Sequence, residues 1–327
     1  MDFVFVIDDI AGLQPCHDTS VALMEAAQQH GHRILITTAA RLGYCDGNAT
    51  ALCCPVTLRP AVRHEQQWII DPEWFKLGPA SLYRLSDAAA VFMRTDPPVD
   101  AQYLRATYLL DLVDATRTLM VNSPSGVRNA NEKLFALRLP ELGPPTVITA
   151  DRPTIRATLA EWGRAVLKPT DGMAGRGILV LDRADPNVGS MLDTATDRGR
   201  CQVVVQRWLP EAAHGDRRVI VLDGRPAGVV RRIAVQGDFR CNMAAGAAPV
   251  ADAVTDRDRE ICARLAPLLR QHGLHFVGID VIGGCLTEVN VTSPTGIREI
   301  DALTGSHLAE DVISWAGQRC QAMIRTA

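Results

Sequence analysis

The strand–helix–strand opening constrains this chain more than any other feature. Phe3–Ile7 is a short, continuous apolar run of the kind found in a strand covered on both faces. Thr19–His30 reads as a helix carrying Val21, Ala22, Leu23 and Met24, with a stop at Gly31, and Arg33–Thr37 reads as a second strand. That order predicts an α/β architecture: a parallel sheet with helices on its faces. A further strand is expected over Ala89–Met93, a helix over Val99–Thr116 and a strand over Leu119–Val121. At 327 residues with 47% apolar side chains, the chain is too long for one ordinary core and too apolar for intrinsic disorder.

Punctuation along the chain predicts three domains. Asn122-Ser-Pro-Ser-Gly126 reads as a linker, so the first domain spans 1–122. A middle domain spans 123–205. It holds a helix over Asn129–Leu139, a helix over Thr154–Trp162, a strand over Ala165–Lys168, a glycine-rich loop over 170–177 and a return strand over Ile178–Leu181. The strand Val203–Trp208 leads into the last domain, 206–327. There, Arg217–Leu222 and Pro226–Ile233 flank Asp223-Gly224, a strong hairpin signal. Residues 234–250 read as a mobile loop. A helix over Asp256–His272, a hairpin of Phe276–Ile282 with Leu286–Val291, and a final helix over His307–Ile324 complete the chain.

Several function classes are excluded. A net charge of −3 gives no basic surface for a polyanion. The N-terminus has acids at Asp2, Asp8 and Asp9 and lacks a basic start, so no signal peptide is expected. No segment approaches the ~18 apolar residues of a membrane helix. Nine cysteines without a CxxC pair read as reduced thiols rather than a disulfide frame or zinc site. A soluble cytoplasmic protein is the expectation.

Of 34 basic residues only Lys76, Lys133 and Lys168 are lysines. Where arginine is the default cation, each lysine marks a place where a compact ammonium is worth asking about. None lies in a GxxxxGK[ST] context, which excludes a P-loop NTPase.

Five constellations carry chemistry. In the C-terminal hairpin, Glu288 and Asn290 are two apart and share a strand face. A three-residue loop of Gly283, Gly284 and Cys285 would put Asp280 directly opposite Glu288. Two carboxylates and an amide oxygen among Val and Ile neighbours suit Mg²⁺; the alternative is a solvated polar face. Lys168 ends a strand before a loop with Gly172, Gly175 and Gly177, which lets backbone amides approach an anion. Lys133 follows Asn131-Glu132. Arg218, Arg232 and Arg240 suit phosphates or carboxylates, with Asn242 after them, whereas Arg217 and Arg231 read as surface ion pairs. The Ser/Thr/Gly turn over 291–296 with Arg298 is a plausible carboxylate nest, and Arg94 and Asp96 lie at a strand end where α/β sheets bind ligands.

Together these pieces resemble the ATP-grasp superfamily, and within it the prokaryotic type of glutathione synthetase, most like cyanobacterial members. The resemblance covers about residues 3–317. It is carried by MRTDPP (93–98), NEKLFAL (131–137), LKPTDGMAGRGI (167–178), VQRWLPE (205–211), GDRR (215–218) and FVGIDVIGGCLTEVNVTSPTGIREI (276–300). It implies an ATP-grasp fold: an N-terminal parallel-sheet substrate domain, a central α+β lid and a C-terminal catalytic domain. It also implies ligation of γ-glutamylcysteine to glycine with ATP and Mg²⁺ (or Mn²⁺) through an acyl phosphate. Lys133, Lys168, Gly172, Gly175 and Asn290 would then serve the nucleotide phosphates. Gln206, Trp208 and Leu209 would hold adenine, with Asp216 near the ribose. Asp280, Glu288 and Asn290 would be the metal ligands. Arg218, Arg232 and Arg240 would be catalytic. Arg94, Asp96, Asn242, Ser293, Thr295 and Gly296 would face substrate. A homo-oligomer, tetramer or dimer, is implied as well, with no nucleic-acid or membrane partner.

Cys241 and Ala247 stand where the family usually has Gly, and Ala234 and Asp9 where it often has Pro. Two other readings compete: a carboxylate–amine ligase for a different acid or amine, and a catalytically silent nucleotide-binding module.

Overall fold

The computed structural model describes residues 1–173 and 175–326; Ala174, inside the expected glycine-rich loop, lies outside them. The opening reading holds. Leu119–Val121, Ala90–Met93, Asp2–Val6 and Arg33–Thr37 run parallel in that spatial order. The helix Thr19–Gln29 connects the first two strands in the chain, and the Asp18 carboxylate accepts from the backbone of Ser20 and Val21 to start it. The expected helix over Val99–Thr116 is shorter, Ala101–Leu110. Asp114 takes the next residues into a turn by accepting from both the amide and hydroxyl of Thr116.

The stretch between Thr37 and Ala88, without predicted elements, holds strands. Asn48–Leu58 pairs antiparallel with Arg33–Thr37, and Leu42–Cys45, Phe75–Leu77 and Ser81–Arg84 pair with it in turn. Asn48–Leu58 is buried at most positions without alternation, and its short partners are largely exposed, so neither leaves a period-two signal.

The helix expected over Asn129–Leu139 is absent. Pro124–Asn129 forms a short helix and Phe135–Arg138 a separate 3-10 turn. Between them the Asn131 side chain accepts from the amides of Lys133 and Leu134, offering the backbone an alternative to helix.

The middle sheet is antiparallel, in the order Thr146–Thr149, Val203–Arg207, Arg164–Pro169, Leu179–Asp182, with helices Arg152–Trp162 and Val188–Ala195. The third sheet is also antiparallel. Ala248–Ala251, Arg225–Ile233, Asp216–Leu222, Phe276–Ile282 and Cys285–Asn290 follow one another across it. The 234–250 segment is therefore not all loop: a 3-10 turn at Met243–Ala245 leads into the edge strand.

The carboxylate hairpin differs from expectation in an instructive way. Its turn has two residues, Gly283 and Gly284, both at positive φ (56° and 77°), and pairs Ile282 with Cys285. That register alone would set Asp280 opposite Thr287. A bulge between Asp280 and Val281 moves the pairing back by one, so Asp280 does face Glu288.

Packing divides the molecule unevenly. The middle sheet has its own core, built from Ile155, Leu159, Leu167, Leu181, Leu192 and Val205. The two terminal sheets share theirs: Val4, Val91, Val219 and Ile279 belong to one buried cluster, and Phe3, Phe92, Ile220 and Phe276 to another.

Candidate active site

A cavity of about 440 Å³ gathers most of the residues singled out above. Lys168 reaches it from the end of Arg164–Pro169, and Gln206, Trp208 and Leu209 from the end of Val203–Arg207 and the turn after it. The Arg164 guanidinium lies 4.2 Å over the Trp208 ring and fixes that side of the rim. The third sheet contributes Asp216, Arg218, Arg232, Asp280, Glu288 and Asn290. Gly172, Gly175, Arg240 and Asn242 come from two loops, and Asp96, Ser293 and Thr295 close the far end.

Buried charge alternates along the floor. Asp280 receives a bidentate pair from Arg218, Nε to Oδ1 at 2.5 Å and Nη2 to Oδ2 at 3.1 Å, and Arg232 Nη2 lies 3.0 Å from the same Oδ2. Burial pushes the Asp280 carboxyl up, but the two guanidiniums outweigh it and hold it well below the usual carboxylate range. Arg232, only 2% exposed, also donates to both oxygens of Asp216, Nε to Oδ1 at 2.7 Å. Burial raises the Asp216 carboxyl to about 6 despite that partner. Both Asp216 oxygens are thus engaged by arginine, where a ribose contact had been expected.

Both lysines lie in the field of Glu288, and Lys133 contacts it. Lys133 Nζ lies 3.2 Å from Glu288 Oε1 and donates to the carbonyl of Gly172, so it joins the floor to the glycine-rich loop. The Lys168 ammonium is pushed down by burial and by Lys133, with Glu288, Asp280 and Asp216 opposing. Lys76 pairs in the first sheet, away from the cavity.

The oxygen donors are a partial fit to a divalent cation: they share one face, but both Asp280 oxygens already accept from arginine and Glu288 is paired with Lys133. Asp280 and Glu288 are register partners, as are Gly278 and Asn290, so strand alternation puts the three side chains on one face. Asn290 Nδ2 donates to the Gly278 carbonyl at 3.3 Å, which turns its amide oxygen away from that bond. Among the described residues no three His, Cys, Asp or Glu side chains form a metal cluster. Two carboxylates and an amide are a partial set of the kind that substrate phosphates complete.

The turn over 291–296 is built by its neighbours. Ser293 donates to Asp96 at 2.5 Å, Arg218 Nη1 to the Thr295 carbonyl at 3.2 Å, and Arg94 Nη2 to the Pro294 carbonyl at 3.0 Å. Arg94 is 3% exposed, bonds Ser20 Oγ through Nε, and does not line the cavity, so it braces the turn rather than facing substrate. Gly296 does not line the cavity either. Its φ of 124° starts the helix Ile297–Thr304 against Arg218. Arg240 is held by Asp238, Nη2 at 2.7 Å. Arg217 and Arg231 share Asp252; Arg231 is the half-exposed surface pair expected, whereas Arg217 is largely buried and also pairs with the buried Asp258.

Cys241 lines the cavity but is buried, and burial pushes its thiol up, so it stays protonated at neutral pH. Among the cavity residues the sequence reading did not single out is an acid with defined partners. Glu132, beside Lys133, lines the cavity and accepts hydrogen bonds from Val291 and Thr292. An acid next to a scarce lysine was the available signal.

Comparison with known proteins agrees with this geometry. The model for the prokaryotic glutathione synthetase N-terminal domain matches residues 1–128, and that for the same enzyme's ATP-grasp domain matches residues 132–305. Glutathione synthetase of Thermosynechococcus vestitus is 51% identical over 315 residues, covering 96% of this chain and 99% of the relative. That of Synechocystis sp. is 49% identical, covering 96% and 98%. Among solved structures, D-cycloserine synthetase DcsG superposes with a TM-score of 0.67 at 17% identity, covering 98% of this chain and all of that one, which speaks to the fold. Two family models in tandem, together with relatives sharing about half of all positions end to end, leave one conclusion: the chain belongs to the prokaryotic glutathione synthetase family.

Proposed function

We propose that this chain ligates γ-glutamylcysteine to glycine, with ATP and Mg²⁺, releasing ADP and phosphate. The observation that carries the reading is the cavity. Two of only three lysines and three oxygen-bearing side chains of one hairpin face line it, with Arg218 and Arg232 between them.

Carboxylate and amine do not condense unaided in water. A cysteinyl carboxylate oxygen attacks the γ-phosphorus of ATP, and ADP leaves. The glycine nitrogen then attacks the acyl carbon, the carbon–oxygen bond to phosphate breaks, and the amine gives up a proton. This chemistry needs positioned charge and exclusion of water more than a protein nucleophile. A divalent cation, when bound by Asp280, Glu288 and Asn290, would supply neutralisation of phosphate charge. Lys133 and Lys168 present point charges to the triphosphate. Arg218 and Arg232 are already desolvated and held by Asp280 and Asp216, so they offer donors at fixed positions as anionic charge develops. The glycine-rich loop meets the 240–242 segment over the cavity: a Cβ at Gly175 would lie 2.7 Å from Asn242 Oδ1. That contact supports a closure that keeps water from the acyl phosphate.

The domains proposed from the sequence are 1–122, 123–205 and 206–327, acting as substrate domain, lid and catalytic domain; because Gln206 and Arg207 pair within the middle sheet, the second boundary is better drawn after residue 207. Nine unpaired cysteines support a cytoplasmic setting, and no helix among the described residues is long and apolar enough to cross a membrane. A homo-oligomer is proposed from the family.

The test is ADP release by the purified protein. It is expected only when γ-glutamylcysteine, glycine and Mg²⁺ are all present. No turnover with that pair would overturn the reading, and activity on another acid–amine pair would redirect it within the same ligase chemistry.

A further inference from the structure

Glu132 stands between the two halves of the cavity, and no role described so far uses it. A single carboxylate oxygen, Oε1, accepts three hydrogen bonds: from the amide of Val291 at 2.9 Å, the amide of Thr292 at 3.1 Å and the hydroxyl of Thr292 at 2.9 Å. Its main-chain oxygen accepts from the amide of Val289 at 2.9 Å. The residue therefore touches the strand that carries Glu288 and Asn290 and the turn that follows it. Its own neighbour in sequence is Lys133. A carboxylate is poorly placed here by solvation: burial pushes it up, and Glu288 adds to that, with the bonds from residues 291 and 292 opposing. Three bonds into one oxygen, stronger while that oxygen is charged, offset part of such a cost.

The two sides depend on Glu132 unequally. The backbone around Lys133 is held without the carboxylate, because Asn131 Oδ1 accepts from Lys133 and Leu134 and the Glu132 carbonyl pairs with Val289. Residues 293–295 are held by Asp96, Arg94 and Arg218. The amides of 291 and 292 have the Glu132 carboxylate as their partner.

We propose that Glu132 is a positioning residue for the peptide substrate: its carboxylate sets the start of the 291–296 turn at a fixed place relative to Lys133, so that the peptide carboxylate meets the ATP phosphates. This inference rests on the ligase reading above and deepens it. Glu132→Gln keeps the size of the side chain but removes its charge. It is expected to raise KM for γ-glutamylcysteine by about tenfold, with KM for ATP changed less than about threefold. Thr292→Val removes one donor to the same oxygen and should raise the same KM by a smaller factor. The double variant should fall short of the product of the two single effects, since both weaken one contact. Three results would overturn the inference: wild-type kinetics in Glu132→Gln, equal rises in both KM values with a lowered Tm, or independent, multiplicative effects of the two substitutions. If Glu132→Gln does not fold, Thr292→Val read against wild type decides: an unchanged peptide KM overturns the proposal. Failure of the ligase reading would appear separately, as a wild-type protein that makes no glutathione.

Discussion

Scarcity gives the individual residue its meaning here. Glu288 faces Lys133 at 3.2 Å and Asp280 across the hairpin, so removing its charge strips a ligand from the proposed cation and a partner from a scarce ammonium at once. Glu288→Gln is expected to lower turnover at least ~10²-fold, the usual size of lost electrostatic stabilisation. Steady-state rates at saturating ATP and Mg²⁺ check it, and near-wild-type activity would remove Glu288 from the metal set. The rare lysines and the paired oxygens were legible from composition and spacing alone. The partners of the arginines were not. That Asp280 is clasped by Arg218 and Arg232 follows from pairing of strands far apart in the chain, and that Asp216 faces Arg232 follows from a bulge in the Asp223-Gly224 hairpin, which carries no dependable sequence mark. Arg94 was misread for a related reason. Its strand-end position is visible in sequence, but its burial beneath the turn is a tertiary fact.

At the level of elements, two loops and one hairpin decide the geometry. The hairpin reading reached the right pairing of Asp280 with Glu288 through the wrong turn, because a two-residue turn and a bulge together shift register as a three-residue loop would. Bulges carry no dependable sequence mark. The glycine-rich loop is more predictable. Gly175 sits at φ 75°, where a side chain costs roughly 1–2 kcal/mol, and it abuts Asn242. Gly175→Ala should lower kcat/KM by about tenfold while moving Tm by no more than about 2 °C, because the strain falls on a loop outside the cores. Unchanged kcat/KM in this variant would mean that the contact between the loops is not part of the working geometry.

Across the whole molecule, the separate core of the middle sheet sets its mechanics. Leu167, Leu181 and Val205 pack with one another, whereas buried residues of the first and third sheets lie in common clusters. The middle sheet can therefore open without breaking the rest. Hydrogen exchange should show this: adding a non-hydrolysable ATP analogue with Mg²⁺ should slow exchange in Arg164–Pro169 and Val203–Arg207, and leave Asp2–Val6 unchanged. Equal slowing in all three sheets would contradict a separately moving lid. The sequence by itself determined the parallel opening, the Asp223-Gly224 hairpin, the ligase family and many of the polar residues that line the cavity, because periodicity, turn chemistry and motif spacing are local properties of a chain. Tertiary structure alone decided which cation meets which carboxylate, that Glu132 anchors the 291–296 turn, and that two sheets share their cores while the third keeps its own. Those facts depend on which distant segments exclude water from one another, and that is settled only when the chain packs.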